Sequence, residues 1–422
     1  MTISTRVILI LLGLSLLAMV VTGSVIYSRL VYLWVFLLLG NWAFSAVALR
    51  GVSIAREPIT NRSQVGQVFE ERFEINIRGR LPRLWLEIRD ESTLPGNQGS
   101  RVLTLLSGNQ TRSYRAVTRL TQRGAFRLGP TLLASGDPFG LFPVQHKSEA
   151  QESLLVYPLL VDIDNFPSPA GVLSGGEALR RRTHQVTPNA AGVRDYEPGD
   201  SLNRIHWAST ARRGRLMAKE FELDPLAPVW IFLDAARAVQ ASLPYTKQSE
   251  IPVNYLGKKE ERYALPPATE EYAVSATASI ARYYIQRKRA VGLVCKGDAL
   301  YTLPAEAGGR QLGKMLETLA LLRAEGDLSL LALVMAQARH LPRGSTVVVV
   351  TSSTDDEVVI AIEHLLRRSL RAIAVLIDSE SFGGRFGTRS LAESLRLLGA
   401  PVRRVVNGVP LESALSISEN GL

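Results

Sequence analysis

The sequence predicts a three-part chain: a two-helix transmembrane hairpin, an antiparallel β-sandwich and a C-terminal α/β domain built on a parallel sheet. Three observations predict it. Two uncharged apolar runs stand back to back near the N-terminus, short alternating strands with regular turns follow, and the second half alternates apolar strands with amphipathic helices. At 422 residues and 46% hydrophobic content the chain is long enough for two or three domains, each with its own core.

The hairpin occupies residues 1–50, with spans at 7–27 and 30–49. Both meet the requirement of about 20 apolar residues for crossing a bilayer. Trp34, Trp42 and Tyr32 lie near the ends of the second span. The polar link is expected at Ser28 and Arg29, short enough to force an antiparallel pair with both outer ends on one side. Arg6 precedes the first span and Arg50, Arg56 and Arg62 follow the second, against Arg29 alone in the turn. The positive-inside rule then places both termini and the soluble body in the cytoplasm of a two-span protein of the cell membrane. A cleaved signal peptide has a shorter apolar region and no second span directly behind it. The net charge of +10 suits nucleic acid or anionic lipid. Beside an anchor, membrane lipid is the economical partner. The arginines are dispersed among acids rather than set in a stripe with aromatics, which argues against nucleic acid.

Residues 51–165 read as the sandwich. Apolar and polar residues alternate through Phe73–Ile77, Leu84–Ile88 and Ser113–Val117, separated by turn residues Pro82, Gly96-Asn97 and Gly108-Asn109. The run Arg123 to Pro130 reads as a strand bounded by Gly124 and Gly129. The run Asp137-Pro138-Phe139-Gly140-Leu141-Phe142 reads as a tight turn that returns Phe139 and Phe142 to the core. Nothing in this region supplies a nucleophile or a general base.

Residues 166–228 hold a linker and the most distinctive segment, Gly192 to Trp207, continuing to Glu222. Pro198-Gly199 predicts a turn, Asp200 or Ser201 a cap for a helix carrying Leu202, Ile205 and Ser209 on one face, and Gly214 its end. Its charge exceeds what a turn and a helix need: Arg194, Asp195, Asp200, Arg204, Arg212 and Arg213 mix both signs. Three readings stand. One is a structural ion-pair network, the commonest fate of such clusters; the second is a docking surface; the third is an anion site at a capped helix N-terminus. His206 has no paired nucleophile and is expected to pack on a helix face beside Trp207.

The order of parts resembles the bacterial domain of unknown function 58 family. The resemblance is carried by the hairpin, by Asp137-Pro138-Phe139-Gly140-Leu141-Phe142 and Val156-Tyr157-Pro158, and by Arg194-x-Tyr196-x-Pro198-Gly199-Asp200 with Arg204-Ile205-x-Trp207 and Ala211-Arg212. It implies a context rather than a reaction: proteins of this kind are often encoded beside MoxR-type AAA+ ATPases and transglutaminase-like membrane proteins, which become the expected partners.

Residues 229–422 form the α/β domain. Strands are expected at Val229–Leu233, Val291–Cys295, Thr346–Thr351, Ala372–Ile377 and Val402–Val406, with helices at 271–289, 311–322, 356–368 and 391–398. The resemblance implies a von Willebrand factor A-like fold for this part. Such domains often hold a divalent metal through Asp-x-Ser-x-Ser after the first strand. Here that segment is Asp234-Ala235-Ala236-Arg237-Ala238; both serine positions are alanine, and Arg237 is expected to place a cation where the metal would be. The site at Asp234, Ala236 and Ala238 is therefore read as degenerate, with no metal and no cofactor. The insert at 241–269, rich in proline and charge, reads either as a flap that contacts a partner or as a mobile insert. The single cysteine, Cys295, excludes an intrachain disulfide and reads as a core thiol, and the five histidines lack metal-ligand spacing.

The expected function is a non-enzymatic, membrane-anchored scaffold or adaptor that partners an AAA+ ATPase. The alternative is an enzyme or an anion- or nucleotide-binding protein using the Arg-rich segment. No phosphate loop, nucleophile elbow or His-Glu-x-x-His motif accompanies it.

Overall fold

The computed structural model describes residues 2–79, 82–167, 190–195, 206–221, 227–245 and 263–417. The chain divides into two compact units, one of Met1–Leu160, Pro244–Pro266 and Leu316–Leu322, the other of Val161–Leu243, Pro267–Met315 and Arg323–Leu422. The first, here the β unit, opens with α1 (Ile3–Thr22) and α2 (Val25–Ala48), both long and apolar enough to cross a membrane. They pair as a hairpin, with the Trp34 indole N–H donating to Ser15 Oγ at 3.3 Å. The link is not Ser28-Arg29 but Gly23-Ser24. Gly23 takes a left-handed conformation (φ 64°) that closes α1, and the Ser24 hydroxyl accepts the Ile26 N–H to open α2. Ser28 and Arg29 lie inside α2; Ser28 donates its hydroxyl to the Val25 carbonyl, so it does not interrupt the helix.

Ten strands follow: β1 (Val52–Pro58), β2 (Arg62–Gln64), β3 (Val68–Ile77), β4 (Arg83–Asp90), β5 (Arg101–Leu106), β6 (Gln110–Arg119), β7 (Gly124–Leu128), β8 (Thr131–Ser135), β9 (Val144–Ser148) and β10 (Glu152–Tyr157). They form sheets ordered β1-β3-β6, β5-β4-β8-β9 and β2-β10-β7. Strict alternation along β3 buries Phe73, Ile75 and Ile77, and these share one core with Leu86, Ile88, Leu106 and Leu133 of the four-stranded sheet. The pairing is not wholly antiparallel as expected, because β2 runs parallel to β10.

Two features of this unit depart from the sequence reading. The Asp137 turn buries Leu141, leaves Phe142 half-buried and exposes Phe139 (65%). Asp137, itself buried, organises the turn by accepting the backbone N–H groups of Phe139, Leu141 and Phe142 at 3.0, 3.0 and 2.6 Å. With three donors to satisfy, the short turn folds around a carboxylate, not around its phenylalanines. Arg56, counted above as a topology-setting charge, is buried. It donates to both oxygens of Glu71 (2.7 and 2.9 Å) and both of Asp90 (2.9 and 3.0 Å), under the face of Phe73.

Of the 241–269 insert, residues 246–262 lie outside the described residues. Tyr263 belongs to the β unit, where its hydroxyl donates to the Thr121 carbonyl at 3.0 Å.

The second unit contains β11 (Ala190–Asp195), α3 (Trp207–Arg213), β12 (Met217–Phe221) and β13 (Val229–Leu233). The chain continues through α4 (Thr269–Gln286), β14 (Val291–Lys296), β15 (Leu300–Glu306), α5 (Gly309–Leu321), α6 (Leu330–Gln337) and β16 (Thr346–Thr351); of α5, the residues from Leu316 on are counted with the β unit. It ends with α7 (Glu357–Arg367), β17 (Arg371–Ile377), α8 (Thr388–Leu397), β18 (Val402–Val405) and α9 (Leu411–Leu415). The main sheet runs β15-β14-β13-β16-β17-β18. Every neighbouring pair is parallel except β14 with β15, so the sheet is mixed and not purely parallel. Phe232, Val347, Val349, Ala374 and Leu376 share a core with α6, α7 and α8, while the buried helix α4 packs on β13, β14, β16 and β17. Buried on both faces, these strands read as continuous apolar runs. Cys295 is buried in β14 and burial pushes its thiol up to about 12.

Candidate functional site

The distinctive segment folds, where described, as an antiparallel ribbon of β11 and β12 with α3 between them. Arg194 pairs in register with Ala218, and Asp195 with Met217. Tyr196, Pro198, Gly199, Asp200, Arg204 and Ile205 lie outside the described residues, as does the turn expected at Pro198-Gly199. The helix begins at Trp207, and its N-cap is His206 rather than Asp200 or Ser201. The His206 ring nitrogen Nδ1 lies 2.8 Å from Ser209 Oγ and accepts the Ser209 N–H at 3.1 Å, while the His206 N–H donates to the Met217 carbonyl at 2.7 Å. Imidazole thus does the work usually left to a serine or aspartate: it satisfies an orphan amide of the first turn. Gly214 (φ 64°) closes the helix, with Arg212 and Arg213 in its last turn where cations suit the helix dipole. Trp207 does not pack beside His206 in a core; it is 67% exposed, and Arg212 and Arg213 are exposed with it.

The second predicted site lies in the same unit, at the C-terminal ends of β13 and β16. Asp234 is 3% exposed. Its Oδ2 accepts the Thr351 hydroxyl at 2.6 Å and its Oδ1 accepts the Ala236 N–H at 3.1 Å. Thr351 Oγ1 in turn accepts the Ser353 N–H at 2.9 Å. Burial raises the Asp234 pKa above its ordinary value despite these two hydrogen bonds. Gly326 closes the floor: its N–H donates to the Ala235 carbonyl, and a Cβ there would collide with the Lys296 carbonyl oxygen. Arg237 does not occupy the metal position: it opens a short 3₁₀ turn, is exposed, and makes none of the Asp234 hydrogen bonds.

This donor set does not fit the usual divalent site. Ala236 and Ala238 supply no hydroxyl, and the first carboxylate after Thr351, Asp355, faces the Arg385 guanidinium at 3.6 Å and the Ser353 hydroxyl at 3.4 Å. Among the described residues no group of three His, Cys, Asp or Glu side chains stands at metal-binding distance. Sequence reasoning identified Asp234 but missed Thr351 as its partner. The signal was available: two strands ending in Asp and Thr, adjacent in a parallel sheet, bring those ends together.

The family model described as "Protein of unknown function DUF58" matches residues 192–253. The segment with the distinctive charges is therefore the one that carries the match. "Uncharacterized protein YeaD" of Bacillus subtilis (strain 168) is 26% identical over 203 residues, 47% of this chain and 43% of the relative, so the match spans less than half the length of that protein. Two solved structures are similar over parts of the chain. One is the CARDB domain of the PF1109 protein from Pyrococcus furiosus in complex with di-metal ions (TM-score 0.19, 12% identity, 25% of this chain and 91% of that one). The other is the alkylpurine DNA glycosylase AlkC of Pseudomonas fluorescens bound to DNA containing an abasic site analog (TM-score 0.18, 11% identity, 34% of this chain and 41% of that one). At such TM-scores neither bears on fold or function. The chain is thus similar to the domain of unknown function 58 family, with the family model matching residues 192–253.

Proposed function

We propose that this chain is a membrane-anchored scaffold or adaptor, facing the cytoplasm, that presents its soluble units to a MoxR-type AAA+ ATPase during the assembly or maturation of other proteins. One observation carries the proposal: the hairpin enters the β unit without a linker. Helix α2 ends at Ala48 and β1 starts at Val52; Leu49 packs on the β core, and Arg83 donates to the Arg50 carbonyl at 2.9 Å. A β unit fixed to its anchor holds a partner in a set orientation at the membrane.

Other features support parts of the reading. Arg6, Arg50 and Arg62 against Arg29 support the cytoplasmic orientation, with Arg56 no longer counted because it is buried in an ion pair. The shared core of two sheets supports a sandwich, and the six-strand order with one antiparallel edge supports a von Willebrand factor A-like α/β unit. Exposed Trp207, Arg212 and Arg213 are the candidate docking residues; an aromatic beside arginines is the composition of interface anchors. The family context adds a transglutaminase-like membrane protein as a second candidate partner.

The test is co-purification of the full chain from native membranes in mild detergent. A stoichiometric AAA+ ATPase is expected, lost in Trp207→Ala/Arg212→Ala with the melting temperature unchanged. Absence of any ATPase, together with turnover of a nucleotide or phosphate ester by the purified full chain, would overturn the proposal in favour of an enzyme.

A further inference from the structure

The strand registers of the β unit gather one set of chain ends beside the hairpin. Strand β1 leaves α2 at Val52, which pairs with Ile77 at the end of β3; Ile77 pairs with Gln110 at the start of β6, and Leu106 at the end of β5 pairs with Arg83 at the start of β4. Ser135, at the end of β8, donates its hydroxyl to the Trp85 carbonyl, and the Asp137 turn follows at once. That turn is bonded to both outer helix ends. The Leu141 carbonyl accepts the hydroxyls of Thr5 (2.6 Å) and Thr2 (3.2 Å), and the Phe142 carbonyl accepts the hydroxyl of Ser45 (2.6 Å). The tip of the turn therefore stands level with the ends of the apolar spans, where a bilayer passes from hydrocarbon to headgroup.

The exposed side chains at this end include, among neutral polar residues such as Ser107 and Asn109, two kinds suited to a leaflet. Phe139 (65%) and Leu105 (75%) are apolar and open. Arg50, Arg78 and Arg112 are exposed and basic. The one carboxylate among the described residues of these connecting loops, Asp137, is buried and held by backbone amides. The opposite ends of the strands carry both signs, including Glu57, Glu91 and Glu149 beside Arg123 and Lys147. We infer that the hairpin end of the β unit is a bilayer-contact surface, on which Phe139 and Leu105 enter the interfacial zone of the leaflet and Arg50, Arg78 and Arg112 meet anionic lipid phosphates. Aromatic and aliphatic tips prefer that zone, and the charge is of the sign that an anionic leaflet attracts. The surface adds a second hold on the tilt of the β unit, beside the direct junction of α2 with β1.

The inference rests on the membrane-spanning reading of the hairpin, and the test separates the two. The full chain is placed in nanodiscs of phosphatidylethanolamine and phosphatidylglycerol with an environment-sensitive thiol dye at Phe139→Cys, Leu14→Cys or Gln98→Cys. Cys295 is buried and does not compete for the dye. Leu14 lies mid-span and is exposed, and Gln98 lies in the β4–β5 connection at the far ends of the strands. Positions 139 and 14 are expected to be quenched by spin-labelled lipid and shielded several-fold from aqueous iodide relative to 98. Exchange of phosphatidylglycerol for phosphatidylcholine should weaken lipid quenching at 139 and leave 14 unchanged. If 139 behaves like 98 while 14 stays lipid-quenched, the contact surface is refuted and the anchor stands. If 14 is itself open to iodide, the spanning reading has failed. Quenching at 139 that ignores lipid charge removes the arginines from the surface.

Discussion

Both units bury carboxylates, and they stabilise them in opposite ways. In the β unit Glu71 and Asp90 surround Arg56, whose guanidinium makes two hydrogen bonds to each and joins strands β1, β3 and β4. In the α/β unit no cation stands against Asp234 among the described residues; a hydroxyl and a backbone amide are its donors. The first arrangement gains charge–charge attraction and depends on every member being present. The second is an acid in a neutral cage and tolerates losing its charge. In both places burial wins over the partners: it raises the pKa of Glu71 against the pull of Arg56, with the charge of Asp90 adding to the rise, and it raises the pKa of Asp234 against its hydrogen bonds.

The comparison is broken most directly at Arg56. Arg56→Met leaves two buried carboxylates facing each other, and removal of one side of a buried ion pair costs about 3–5 kcal/mol. The β unit's unfolding transition should shift by that amount in urea titration of the detergent-solubilised chain, while the α/β transition stays in place. An unchanged β transition would mean that the triad is hydrated rather than buried. At Asp234 the corresponding change is Thr351→Val, which removes the donor to Oδ2 and the acceptor of the Ser353 N–H. An unsatisfied buried group costs about 1–3 kcal/mol, so the α/β transition should move less than the β transition moves in Arg56→Met. Thr351→Ser restores the hydroxyl and should recover most of the loss; failure to recover would point to the Thr351 methyl packing instead.

The elements held by short-range pattern were legible in the sequence. The apolar runs Val229–Leu233 and Thr346–Thr351 are strands at those bounds, and alternation through Phe73–Ile77 buries the residues it predicts. What escaped depends on partners remote in sequence or on local geometry that hydropathy ignores. Arg56 looks like any juxtamembrane arginine, because the residues that bury it are 15 and 34 positions away. Polarity alone points to Ser28-Arg29 as the hairpin turn, but Gly23 and Ser24 are the helix-capping residues, whereas Arg29 near a helix end can reach the interface. Helix α6 (Leu-Leu-Ala-Leu-Val-Met-Ala-Gln) is apolar on all sides and shows no amphipathic period, and β15 is an edge strand with no fully buried residue. At the candidate site the residue types of Asp234 and its missing serines were readable, but the Thr351 partnership is a property of the sheet order β13-β16.

The smallest effect is the one that tests the neutral cage itself. A carboxyl whose pKa is raised by folding binds its proton more tightly in the native chain than in the unfolded one. Its contribution to stability is therefore greatest below the ordinary carboxylate range and is lost as pH rises through the raised native value. Asp234→Asn is close in shape to the protonated acid: one oxygen can still accept from Thr351 or Ala236, and no charge has to be buried. At acid pH the variant and the parent should unfold at nearly the same urea concentration. As pH rises, the parent's α/β transition should fall behind the variant's, so that the asparagine form is the more stable at neutral pH. Glu71→Gln cannot mimic this cleanly, since it also removes one of the four Arg56 hydrogen bonds and the charge that Arg56 faces, and should destabilise the β unit despite relieving a buried charge. A parent–variant gap at Asp234 that is flat with pH would mean that folding leaves its pKa unshifted, and one that favours the aspartate at neutral pH would mean that the ionised carboxylate is the stabilised form; either result refutes the neutral cage.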